Sequence, residues 1–147
     1  MKDYQAAWQI AYEKLLARCE SGGFWRGRLC SSPLATATAT SALAVYNRAL
    51  CAAKERPASA IEKAIEAGVD YLLSTQRPDG GWGDTERSLS NIATTYLVSA
   101  ALELSGRTSR TESAIRMAHA CIEREGREDG LRQRYGSDQT FVAPILT

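Results

Sequence analysis

The sequence is poor in the residues that most often carry chemistry. It holds one histidine, two methionines, two phenylalanines and four cysteines among 147 residues. Cys19, Cys30, Cys51 and Cys121 are scattered without a Cys-x-x-Cys pair, so neither a zinc ribbon nor a thioredoxin-like motif is present. They read as reduced, mostly buried thiols. A metal site would have to use His119 and Cys121, whose i, i+2 spacing on a helix points the two side chains to different faces. No metal and no cofactor are expected.

Charge of one sign is also missing. Eighteen basic against seventeen acidic residues leave a net charge of +1, so there is no extended basic field to hold a phosphate backbone, and nucleic acid is excluded as a partner. No apolar run approaches the roughly 20 residues that span a bilayer. Met1-Lys2-Asp3-Tyr4-Gln5 lacks the apolar core of a signal peptide, which leaves the cytoplasm as the expected location. What the chain does have is 44% apolar residues, enough to bury a core, and residues 1–147 read as one domain.

The apolar residues recur with helical spacing. Tyr4, Trp8, Ala11, Leu15 and Cys19 line one face of a helix over about residues 3 to 20. Ser21 to Gly27 break it, and a second helix follows from about Pro33 to Ala53. The alternation Ala35-Thr36-Ala37-Thr38-Ala39-Thr40 imitates a strand, but the alanines favour helix, Pro33 suits a first helical position, and Ala42, Val45, Tyr46, Ala49 and Leu50 continue with helical period. Pro57 opens a third helix, with Ile61, Ile65, Gly68, Tyr71 and Leu72 on its buried side up to about Thr75. The turn segment Gln76 to Asp84 follows, then a helix over about Ser90 to Ser105 stopped at Gly106. Thr111 and Glu112 begin a fifth, ending near Gly126.

A period of roughly 50 to 57 residues emerges, each unit being a helix, a Gly-aromatic loop and a helix rich in alanine and threonine. Gly22, Gly23 and Trp25 in the first unit correspond to Gly80, Gly81 and Trp82 in the second. Asp129, Gly130 and Leu131 hold the place in a degenerate third. Thr36 and Thr38 match Thr94 and Thr95, and Thr140 would open a third inner helix. A repeat unit cannot bury its apolar face alone, and Phe141, Val142, Ile145 and Leu146 are no polar cap. The expectation is a longer native protein, or self-association through this edge. The glycines let the chain reverse, Gln76 can bond exposed helix-end groups, and Trp82 covers that bond, which is structural work.

Ala67, Tyr71-Leu72, Gln76 and Gly80-Gly81-Trp82 stand at spacings that resemble the QW motif of squalene-hopene and oxidosqualene cyclases. In the first unit Glu20 stands where the glutamine belongs, and in the third Gly126 does. The resemblance implies an all-α fold, an α/α toroid of helical hairpins incomplete after about five helices, equivalent to the N-terminal portion of a squalene-hopene-cyclase-like protein. It also implies that the motif ties the end of an outer helix to the start of the next inner one. Such cyclases protonate an alkene or epoxide with the aspartate of an Asp-x-Asp-Asp motif, which this sequence lacks, as it lacks Asp-Cys-Thr-Ala-Glu. The chain alone is therefore expected to be inactive, with no catalytic residue of its own, while the complete protein would cyclise a polyprenoid such as squalene. A peripheral membrane contact fits that substrate.

Two other readings stay open: a non-catalytic α/α-repeat module binding a lipid or protein, and a protein prenyltransferase β-like subunit, whose zinc site cannot be assembled from these residues. Asp84 and Glu86 could be paired acids but read better as negative charge beginning a helix. His119 reads as a surface or interhelix residue. Arg26, Arg28, Arg132 and Arg134 cluster near two loops, where an anionic group could sit, although loop arginines are usually only solvated.

Overall fold

A computed structural model describes residues 2–27, 29–55 and 59–146, with side chains from Tyr4 onward. Pro57, expected to open the third helix, and Arg28 lie outside the described residues. Seven helices occur among those described: α1 (Lys2–Leu16), α2 (Pro33–Ala52), α3 (Ser59–Ser74), α4 (Ile92–Leu104), α5 (Thr108–Arg124), α6 (Arg127–Tyr135) and α7 (Val142–Leu146). The fold is all-α, part of an α/α toroid. Helix α4 packs against α2, while α3 covers α2 and α5 covers α4, giving an inner row backed by an outer one.

The alternating Ala-Thr stretch is helical, as its alanines and its cap require. Ser32 accepts a hydrogen bond from the Ala35 amide at 3.1 Å, and Pro33 fills a position whose N–H would be unsatisfied anyway. Asn91 caps α4 in the same way, accepting from the Thr94 amide at 3.0 Å. Small side chains explain the close inner row. Ala37, Thr40 and Ala44 of α2 are buried, and α4 is buried on almost every side, with Thr94, Thr95, Val98, Ala101 and Leu102 fully enclosed. The outer helices supply bulk from one face only, through Ile65, Val69 and Leu72 of α3 and through Ala114 and Ala118 of α5.

Three expectations need correction. The first helix ends at Leu16 rather than near residue 20, so Cys19 leaves the helical face and instead pairs with Trp25 in an isolated antiparallel bridge. Only Cys121 of the four cysteines is buried, with Cys30 and Cys51 exposed. The third Gly-aromatic turn does not exist, because Asp129, Gly130 and Leu131 lie inside α6. The chain turns earlier, at Gly126 with φ +90°, and Glu128 and Asp129 at the start of α6 with Arg132 and Arg134 at its end suit the helix dipole. Gly130 is there for proximity, since a Cβ on it would lie 1.8 Å from the Glu125 carbonyl oxygen. Leu131, fully buried, then packs with Ile92, Ala93 and Val142 in a second small core.

Candidate functional site

The segment from Gln76 to Asp84 is where several helix ends meet. Helix α3 stops at Ser74, and its last carbonyls need partners. The Thr75 hydroxyl donates to Tyr71 O at 2.9 Å, and the Trp82 indole Nε1 donates to Leu72 O at 2.8 Å from a fully buried position. Gly80 takes φ +86°, which lets the chain reverse through Gly80 N to Arg77 O and Arg77 N to Gly81 O. The Asp79 carboxylate accepts from Gly81 N at 3.0 Å and from the Ser90 hydroxyl at 2.9 Å. The Gln76 amide donates to Gly80 O and to Ala114 O, both at 2.9 Å. The division of labour thus differs from the expected one: the tryptophan satisfies the helix end, and the glutamine stitches its own turn to the middle of α5.

Asp84 ties the turn to both inner helices. Its carboxylate accepts from Asn91 Nδ2 at 2.9 Å and from the Thr94 hydroxyl, and its carbonyl accepts from the α2 cap, Ser32 Oγ, at 2.6 Å. Trp82 N donates to Thr95 Oγ1 at 3.2 Å, and Asn91 N returns a bond to Trp82 O. Burial pushes the Asp84 carboxyl up, but the Thr94 and Asn91 bonds and the Arg134 guanidinium more than offset it and hold it below the usual carboxylate value. A carboxyl kept ionised holds no proton to give an alkene, so the arrangement is that of an anchor. Neither Asp84 nor Glu86 begins a helix, because α4 starts at Ile92 behind its Asn91 cap. Sequence reading missed this anchor, although Ser32-Pro33 and Asn91-x-x-Thr94 are both cap signatures that could have pointed to it.

The first turn repeats the second in its backbone and its tryptophan bond but not in its other side chains. Trp25 Nε1 donates to Leu15 O at 2.7 Å, Gly23 N to Glu20 O at 2.9 Å, and Glu20 N to Phe24 O at 2.8 Å. These match the bonds of Trp82, Gly80 and Arg77, each 57 positions on. The register therefore differs from the one read in the sequence. Gly23, at φ +77°, is the counterpart of Gly80, Gly22 stands opposite Asp79, and Cys19 rather than Glu20 takes the place of Gln76.

The remaining candidates are dispersed. His119 Nε2 lies 3.3 Å from Glu103 Oε1, with both side chains more than half exposed, which makes it a surface contact between α5 and α4. Burial raises the Cys121 thiol, which sits against Gly81. Arg134 turns to Asp84 at 3.7 Å, and Arg26 is exposed. Among the described residues, no group of three His, Cys, Asp or Glu side chains converges.

No helix among the described residues is long and apolar enough to cross a membrane. No solved structure matches the chain. The model of the squalene-hopene cyclase N-terminal domain matches residues 9–132, a span that runs from α1 through both Gly-aromatic turns into α6. Such coverage includes all the elements that the turns organise, and the chain belongs to the squalene-hopene cyclase N-terminal domain family.

Proposed function

We propose that this chain serves as the scaffold segment of a terpene cyclase whose complete form folds a polyprenoid such as squalene in an apolar cavity and cyclises it. The observation that carries this reading is the family match over residues 9–132. The segment contributes architecture rather than chemistry. Two of its acids are committed elsewhere: Asp79 accepts from Gly81 N and the Ser90 hydroxyl, and Asp84 from Asn91 and Thr94 at the start of α4. No Asp-x-Asp-Asp sequence is present to protonate an alkene. The test has two arms. Incubation of the 147-residue chain with squalene yields no cyclic triterpene by gas chromatography and mass spectrometry, and a cyclic product would show the acid argument to be wrong. The reading frame continuing beyond Thr147 encodes Asp-x-Asp-Asp and further Gln-to-Trp repeats, and the protein translated from it converts squalene; a frame without that motif sinks the cyclase reading and leaves a binding module.

A further inference from the structure

Among the described residues no other helix covers α1, whose end is met only by the Trp25 indole at Leu15 O. Every described side chain from Tyr4 to Leu16 is exposed, including Trp8 at 62%, Tyr12 at 45% and Leu15 at 52%. Trp8 and Tyr12 stack with centroids 5.2 Å apart, which joins them into one apolar face. Contiguous apolar surface of this kind marks an interaction site. The internal repeat states what it is built to meet. The bonds from Trp25 to Leu15 and from Trp82 to Leu72 fix a correspondence of 57 positions. Under it Trp8, Tyr12 and Leu15 fall on Ile65, Val69 and Leu72, the face that α3 buries against α2. In this chain α3 already occupies the face of α2 that such docking uses.

We propose that the Trp8, Tyr12 and Leu15 face of α1 docks an alanine-rich inner-row helix of a second α/α unit, in the manner in which α3 docks α2. The same correspondence specifies one residue of that occupant. Ala11 stands where α3 has Gly68, and a Cβ on Gly68 would lie 2.3 Å from Thr40 Oγ1. The docked helix therefore carries alanine or glycine at the position Thr40 holds in α2. Helix α1 becomes the arm that joins this unit to another, whether or not the whole protein cyclises a polyprenoid.

The experiment adds a helix-stapled peptide of residues 32–53 carrying Thr40→Ala to the full 15N-labelled chain and follows amide shifts. Saturable shifts confined to α1 are expected. The peptide retaining Thr40 binds about tenfold more weakly or worse, and Trp8→Asp in the chain removes the shifts while leaving the α2 to α6 spectrum unchanged. No saturable shift at about 1 mM peptide, shifts on other helices, or undiminished binding by Trp8→Asp would overturn the proposal. So would concentration-dependent broadening of α1 without peptide that Trp8→Asp abolishes, which assigns the face to a second copy of the chain.

Discussion

At the first turn Trp25 donates its indole N–H to Leu15 O and remains 48% exposed, whereas at the second Trp82 makes the same bond to Leu72 O with no exposure at all. Gly23 and Gly80 share a left-handed backbone and the same pair of turn bonds. The backbone is therefore set locally, by glycine and by the ten-residue reach from tryptophan back to the helix end. Burial is set by what lies opposite. The second turn has α5 and α4 against it and bonds them through Gln76 and Thr95, with the Asp79 carboxylate holding Ser90 ahead of α4, while the first has Cys19 and Gly22 at the glutamine and aspartate positions and, among the described residues, no helix to hold in this way.

Paired substitutions can break or sharpen that contrast. Trp82→Ala removes a fully enclosed plate and its bond to α3, a change of the class that costs about 3–5 kcal/mol. Trp25→Ala, half exposed already, is expected to shift the urea midpoint of unfolding by far less, within about 1 kcal/mol. Equal shifts from the two would mean that the first turn is covered in solution by something that the chain does not itself supply.

The twin glycines come next. Gly23→Ala meets no atom within 4 Å and pays only the left-handed strain of about 1–2 kcal/mol. Gly80→Ala adds to that strain a Cβ only 2.4 Å from Met117 O, a backbone atom of α5 that cannot swing aside. Thermal denaturation of the two variants should separate them clearly, with Gly80→Ala the less stable. Gln76→Ala, which takes this donor from Gly80 O and unties the turn from α5 at Ala114 O, is expected to cost about 1–3 kcal/mol. Cys19→Ala, its counterpart in the first turn, should leave stability within about 0.5 kcal/mol of the parent.

Much of this contrast is written in the sequence, and the rest depends on distance in the chain. Helix type and position follow from period and caps, so α2 stays helical through its Ala-Thr alternation, and the Gln76 to Trp82 motif stands out by spacing. Gly130 shows the limit. A lone glycine in a polar stretch has the same local appearance whether it turns the chain or lets a helix approach Glu125, and only the packing of α6 decides which. Asp84 shows another. Its three donors come from Ser32, Asn91 and Thr94, one of them 52 residues away, so no local pattern distinguishes an anchoring acid from a catalytic one. The one-residue slip in aligning the two turns has a similar cause. Matching Gly-Gly to Gly-Gly aligns letters, whereas the hydrogen bonds align Gly23 with Gly80 and leave Phe24 opposite Gly81.

The smallest effect is the response to acid. In the folded chain Asp84 and Asp79 both sit below the usual carboxylate value. Burial raises each of them, but this is outweighed at Asp84 by Thr94, Asn91 and Arg134, and at Asp79 by Gly81, Ser90, Arg77 and Arg124. A carboxyl with a depressed folded pKa binds its proton more readily in the unfolded chain, so its contribution to stability is complete above the unfolded value of about 3.9 and is lost as the pH falls through the lower folded value. Unfolding midpoints measured from pH 6 downward should therefore hold until about pH 4 and then drop. Asp84→Asn should lower the plateau and flatten part of that drop. The first turn, with Gly22 in the aspartate's place, contributes nothing to it. If Asp84→Asn and Asp79→Asn leave the acid limb unchanged, the Asp84 carboxylate is not what binds the second turn to α4, nor the Asp79 carboxylate what binds it to Ser90, and the difference between the turns rests on Gln76 and Trp82.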